Sequence, residues 1–423
     1  MTIAADSLRI DADRLWASLM ALARVGATPK GGVCRLALTD ADREGRDLVV
    51  RWGREAGLAV TVDAIGNVFM RRAGRNPALP PVVSGSHIDT QPTGGRFDGN
   101  YGVLAALEVV RTLNDHGVVT EAPIEVVFWT NEEGSRFVPV MMGSGVFSGA
   151  VPLAEAHAAA DLEGRTVGDE LRRIGYLGEA VPGAAHPIGA YFEAHIEQGP
   201  VLEDAGLVIG AVTGVLGIRW YDCTVTGMEA HAGPTPMALR RDALQVATRL
   251  MQEVVAIARR HPPEREGGGG RGTVGQVLVH PNSRNVIPGR VRFSIDLRNA
   301  TDALCDAMDA DLRAAAARLE AETGLAIRLE PISGYAAQPF DERCIAAVER
   351  AAAQLGHPCM RIVSGAGHDA VHMARLAPTG MVFVPCKDGI SHNEVEDARP
   401  EHLAAGCNVL LRVMLERAGV VAA

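Results

Sequence analysis

The sequence predicts an α/β protein whose main domain is discontinuous, interrupted by a smaller α+β insertion. Three observations lead to this. A strand–helix–strand pattern over residues 81–130 marks a parallel sheet. After Val212 the order changes, and four strands share two helices without strict alternation. From Pro339 helix and strand alternate again. The expected division is 1–212 with 333–423 for the main domain and 213–332 for the insertion. A chain of 423 residues is also too long for one ordinary core.

The elements follow in order. Residues 9–25 are apolar at helical spacing, and 40–56 form a second amphipathic helix with Thr39 or Asp40 as its N-cap. Residues 58–63 and 68–71 read as short strands around the turn Gly66-Asn67. An apolar run at 81–86 leads into His87, a helix covers 99–114, and a β-branched, aromatic strand covers 124–130. In the insertion, strands at 220–226, 272–280, 289–297 and 326–332 and helices at 240–261 and 301–323 give a four-stranded sheet under two helices. The run Gly267 to Gly270 reads as a flexible loop. No Lys-Ser/Thr follows it, so it is not a phosphate loop. A helix at 341–355, a buried strand at 381–386 and a helix at 401–418 close the chain.

Composition excludes several classes. A formal charge of −10 argues against a nucleic-acid surface. No segment has the apolar length of a membrane span, and the acidic N-terminus has no apolar signal core. Seven cysteines, an odd number with no C-x-x-C pair, fit a reducing cytoplasm better than a disulfide framework.

Five polar clusters carry the chemistry. Ser86-His87-Ile88-Asp89 ends a buried strand, where open α/β sheets place ligands, and the Asp89 carboxylate can fix the His87 tautomer from behind. Asp98 stands among glycines just before a helix. Glu132 and Glu133 follow an apolar strand, and two adjacent buried carboxylates call for a cation. One can bind it while the other takes a proton from water. His195 and His392 each read as a histidine in a glycine-punctuated turn after an apolar stretch. Taken singly, each cluster has an ordinary alternative, such as a surface-loop histidine, an N-cap aspartate or a solvated acidic turn. Together they offer imidazole and carboxylate without thiolate, which suits Zn, Mn, Co or Ni.

In that combination the set resembles the M20 metallopeptidase-type amidohydrolases. The resemblance is nearest to their carbamoylase branch, which comprises N-carbamoyl-L-amino acid hydrolases, β-ureidopropionases and allantoate amidohydrolases. It rests on Gly94-Gly95-Arg96-Phe97-Asp98-Gly99, His195-Ile196-Glu197-Gln198-Gly199-Pro200, Gly227-Met228-Glu229-Ala230-His231-Ala232-Gly233, Pro281-Asn282-Ser283-Arg284-Asn285 and Ser391-His392-Asn393-Glu394. It implies that Asp98 bridges two divalent metal ions, with His87, Glu133, His195 and His392 completing the ligands. Glu132 would be the general base and His231 would stabilise the oxyanion. His231 and Asn285 would act across the interface of a homodimer. Gln198 would contact the carbamoyl amide, and Ala366 and Gly367 would bind substrate through the main chain. Arg298, at a strand end, can pair with a substrate carboxylate or simply be a surface arginine. The insertion would serve as lid and dimerisation domain. The expected partner is a small ureido carboxylate, an N-carbamoyl-L-amino acid first. Allantoate, N-carbamoyl-β-alanine, a dipeptide or acyl-amino acid, and a non-catalytic metal-binding role stand as alternatives.

Overall fold

The computed structural model describes residues 7–183, 186–261 and 269–421. Gly267 and Gly268, half of the expected flexible loop, lie outside the described residues, as does the extreme N-terminus. The chain divides into two compact units. One comprises Met1–Thr213, Pro339–Arg361 and Ala366–Ala423; the other comprises Gly214–Gln338 with Ile362–Gly365.

In chain order the strands are β1 (Ala59–Val62), β2 (Val68–Arg72), β3 (Val82–His87), β4 (Ile124–Trp129), β5 (Ala190–Ile196) and β6 (Ile209–Val215). Then come β7 (Gly217–Thr226), β8 (Ala230–His231), β9 (Arg271–Thr273), β10 (Val277–His280), β11 (Val286–Ile287), β12 (Arg290–Asn299) and β13 (Ala326–Tyr335). The last three are β14 (Gln338–Pro339), β15 (Cys359–Ser364) and β16 (Thr379–Val384).

The larger sheet runs β1-β2-β4-β3-β5-β16-β6-β14, with β15 beside β6. Its centre, β4-β3-β5-β16, is parallel throughout. Every residue of these four strands is buried. Burial on both faces explains why β4 and β16 read as apolar runs rather than alternating ones. Packing is tight enough that a Cβ on Gly85 of β3 would lie 1.8 Å from the Val127 carbonyl oxygen. The expected crossover helix spans Asn100–Asp115 and is largely buried. Gly99 before it has φ of 65°, and a Cβ there would fall 2.4 Å from the His87 ring. Glycine is required on both counts. Thr39, Thr301 and Asp341 each cap a helix with a side-chain oxygen, at Asp40–Glu55, Asp302–Thr323 and Glu342–Gln354.

The second unit has an antiparallel sheet, β10-β12-β7-β13, with β9 also on β12. Tyr221, Cys223, Val225, Phe293, Ile295 and Leu297 alternate inward to meet Leu250, Val254 and Leu312 of the helices Ala243–Arg260 and Asp302–Thr323. The sheet has five strands rather than the expected four. Thr273 pairs with Asp296 and Val277 with Phe293, so the edge strand carries one extra residue. This bulge splits the expected strand at 272–280 into β9 and β10. Gln276 N–H donates to Ser294 Oγ across the gap. Strand β13 also runs on to Tyr335, past a register shift at Pro331/Ser333.

Candidate metal centre

The four parallel strands deliver the polar clusters at their carboxyl ends, the face where open α/β sheets bind ligands. Strand β3 ends on His87, and β4 is followed at once by Thr130 to Glu133. Strand β5 carries His195 and leads to Gln198, and the loop after β16 carries Ser391 and His392. Asp98 enters from the loop before the crossover helix. His195 is not in a turn, as its sequence context suggested. Parallel pairing of His195 with Phe383 extends β5 through it, and the side chain is fully buried.

Asp98 stands at the centre. Its Oδ1 lies 3.2 Å from His195 Nε2 and 3.5 Å from His87 Nε2, and its Oδ2 lies 3.3 Å from His392 Nε2. His392 Nε2 is also 3.3 Å from Glu133 Oε2, and His87 Nε2 is 3.5 Å from Glu132 Oε2. Two groups able to hold a cation, His87–Asp98–His195 and Asp98–Glu133–His392, thus share one carboxylate. A third group, Glu193–His195–His368, lies fully buried. Glu193 already accepts hydrogen bonds from Ser86, Tyr191 and the Ala370 N–H, so it does not call for an ion.

The donors fit a divalent metal. His87 Nδ1 is tied to the Asp89 main-chain oxygen at 2.9 Å, and His195 Nδ1 to that of Ile196 at 2.8 Å. With Nδ1 as the donor to the main chain, Nε2 of each ring is the nitrogen that faces Asp98, and it can bind a cation once its proton is lost. Gly99 N–H also points at His195 Nε2, at 3.1 Å. Glu133 Oε1 is buried with no hydrogen-bond partner among the described residues. Electrostatics agree. Burial raises Glu132 well above the usual carboxylate range and lifts Glu133 to about 7. Burial opposes ionisation of Asp98 as well, but His195, His392 and His87 draw it well below the usual range. Asp98 in turn lifts His392 to about 9. A cation would relieve the repulsion among these carboxylates.

Several expectations change in detail. The Asp89 carboxylate makes no hydrogen bond to His87, its Oδ1 standing 3.9 Å from Nδ1; the Asp89 main-chain carbonyl makes that bond instead. The carboxylate instead accepts the N–H groups of Glu132 and Glu133, both at 3.3 Å. Asp98 makes no side-chain cap on the helix behind it. Gln198 Nε2 donates to Asp98 Oδ2 at 2.8 Å. Four contacts have no counterpart in the sequence reading. Gln91 donates to Glu133, Ser391 lies against Asp98, Glu396 accepts from the Asp98 main chain, and Asp369 accepts from Ser144. These contacts join residues far apart in the sequence and exist only in three dimensions. The His368 ring packs 4.5 Å from that of His195, in the loop that also holds Ala366 and Gly367.

His231, Asn285 and Arg298 belong to the second unit. His231 and Asn285 are both exposed and adjacent: β8 pairs with β11, and Ala232 N–H bonds the Asn285 carbonyl. Gly233 N–H donates to His231 Nδ1 at 3.1 Å, leaving Nε2 as the protonated nitrogen of the neutral ring. Arg298 does not end its strand but lies inside β12. There it forks onto Asp296 through Nε and Nη2, and its Nη1 donates to the Gly365 carbonyl.

A mostly parallel sheet with two imidazole–carboxylate donor groups at its carboxyl edge defines a candidate divalent-metal centre. The sequence matches the model of peptidase family M20/M25/M40 over residues 83–416, and the chain belongs to that family. It is 47% identical to an N-carbamoyl-L-amino-acid amidohydrolase of Rhizobium meliloti over 100% of both chains. It is 42% identical to an N-carbamoyl-L-amino acid amidohydrolase of Geobacillus stearothermophilus over 97% of this chain and 99% of the other. Among solved structures, a hydantoinase/carbamoylase-family amidase from Burkholderia multivorans superposes with a TM-score of 0.94 at 59% identity, covering 97% of this chain and 99% of that one.

Proposed function

We propose that the enzyme hydrolyses an N-carbamoyl-L-amino acid to the free amino acid, ammonia and carbon dioxide, using two divalent ions. The observation that carries this is Asp98, one carboxylate shared by two donor groups, with Glu132 beside them. The relatives named for this activity span the whole chain. His87 and His195 would hold one ion, Glu133 and His392 the other, and Asp98 both. Such ions, when bound, polarise the ureido carbonyl and acidify water.

The chain's own residues do the rest. Glu132, made more basic by burial, would stand ionised beside the bound cations; as the carboxylate it takes a proton from the attacking water and returns it to the leaving nitrogen. His231 donates from Nε2 to the oxyanion, in line with the hydrogen bond that fixes its tautomer. Gln198 and the main chain at Ala366 and Gly367 hold the carbamoyl group, and Asn285 supports the oxyanion or the carboxylate. Arg298 binds the substrate carboxylate, which must share the guanidinium with Asp296. On this reading the second unit is a lid and dimerisation domain, and His231 and Asn285 serve the partner's site. No helix among the described residues is long and apolar enough to cross a membrane. The seven cysteines are free, and a cytoplasmic location is part of the proposal.

The test is a comparison of kcat/KM across N-carbamoyl-L- and D-amino acids, N-carbamoyl-β-alanine, allantoate and a dipeptide. The L-carbamoyl substrates should lead, with activity lost on chelation. Arg298→Ala should raise KM about tenfold or more with a smaller change in kcat. A lead for allantoate would replace the substrate and keep the chemistry.

A further inference from the structure

Gly95 before Asp98 and the second glutamate after His392, Glu396, have no part in the reaction above, yet they meet. Glu396 is 1% exposed. Its Oε1 accepts the main-chain N–H groups of Phe97 at 2.8 Å and Asp98 at 3.2 Å. Its Oε2 lies 2.8 Å from Ser391 Oγ, which is also 2.9 Å from Asp98 Oδ2. Gly95 makes the room: a Cβ there would sit 2.0 Å from the Glu396 carboxyl carbon. Next door, Arg96 Nη2 reaches Asp397 Oδ1 at 2.9 Å. One short loop therefore supplies His392 and also grips Asp98, whose position in the chain is 293 residues before Ser391.

The grip is one-sided. Asp98 Oδ1 faces His195 and His87. Oδ2 faces His392, and it is Oδ2 that Ser391 and Gln198 touch. A carboxylate serving two positions offers one oxygen to each, and a hydrogen-bonded neighbour acts first on the oxygen it touches. We infer that Ser391 and Glu396 are positioning residues that hold Asp98 Oδ2 toward Glu133 and His392. The cation position on that side then depends on them more strongly than the position at His87 and His195. The inference rests on the two-ion reading given above.

Cobalt(II) titrated into the apoprotein tests it, followed by equilibrium dialysis and by visible absorption. The wild-type chain should take up two ions. Ser391→Ala and Glu396→Gln should weaken one of the two binding steps by about tenfold or more, the usual cost of losing such a neighbour. The other step should stay within about twofold. Ser391→Thr keeps the hydroxyl and should restore the weakened step. In a His87→Ala background, the single remaining step should be the one sensitive to Ser391. The denaturation midpoint of each apoprotein separates loss of fold from loss of binding. Equal weakening of both steps, or none in a folded variant, overturns the inference alone. A single ion on the wild-type chain overturns the two-ion reading and the inference with it.

Discussion

His392 shows at the scale of one residue how the donors stand before any ion arrives. Asp98 lifts its imidazole to about 9, so at neutral pH the metal-free ring carries a proton. Glu133, raised to about 7 by burial and by Asp98, is partly protonated there too. A metal binds neutral imidazole and ionised carboxylate, so binding must expel these protons. The sign follows: affinity should rise with pH through 7 and level off above about 9. Calorimetric titration in buffers of different ionisation enthalpy should detect proton release near pH 7. A buffer-independent enthalpy would contradict this account of the donors. His87, Asp98, Glu132, Glu133 and His392 were legible because each is a polar residue beside an apolar run, mostly with glycine nearby. Glu193 and Glu396 were not. Their hydrogen-bond partners, Ser86 and Phe97, lie 107 and 299 residues away, and nothing local marks the meeting.

At the scale of elements, the centre depends on how closely β3 and β4 approach. Gly85 has no space for a methyl group, since a Cβ would meet the Val127 carbonyl, which is main chain and cannot rotate away. Gly85→Ala should therefore destabilise the protein by about 3 kcal/mol or more, read from the denaturant midpoint. It should also weaken metal retention, because β3 ends on His87 and β4 leads to Glu132 and Glu133. A variant of unchanged stability would show that the two strands have slack. The βαβ unit around this pair was readable from its apolar runs and crossover helix. Strands β5 and β6 were not read from the sequence. In β5, Glu193 and His195 interrupt the apolar run, and their burial is tolerated only because each has partners inside the fold. The edge strand of the second sheet failed for another reason: a one-residue bulge leaves no mark in hydrophobic alternation.

At the scale of the whole molecule, the proposal assigns His231 and Asn285 to the partner's site in a homodimer. Mixing two inactive variants tests this. Glu132→Gln and His231→Ala should each be nearly inactive alone. Co-refolded in equal amounts, half of the dimers would be mixed, each with one intact site, and activity should return to about a quarter of wild type. No recovery would place His231 at the site of its own chain or outside catalysis. The two-unit division follows from elementary packing, since a parallel sheet buried on both faces and an antiparallel sheet covered on one face need separate cores.

The central claim is that Glu132 moves the proton while metal-binding residues hold the ions. Its most direct test is the initial rate of ammonia release from an N-carbamoyl-L-amino acid by wild type and Glu132→Gln at matched metal content. Wild type should release ammonia steadily, equimolar with free amino acid. For the variant, kcat should fall by about a thousandfold or more, with metal still bound. Comparable rates in the two proteins would contradict the claim.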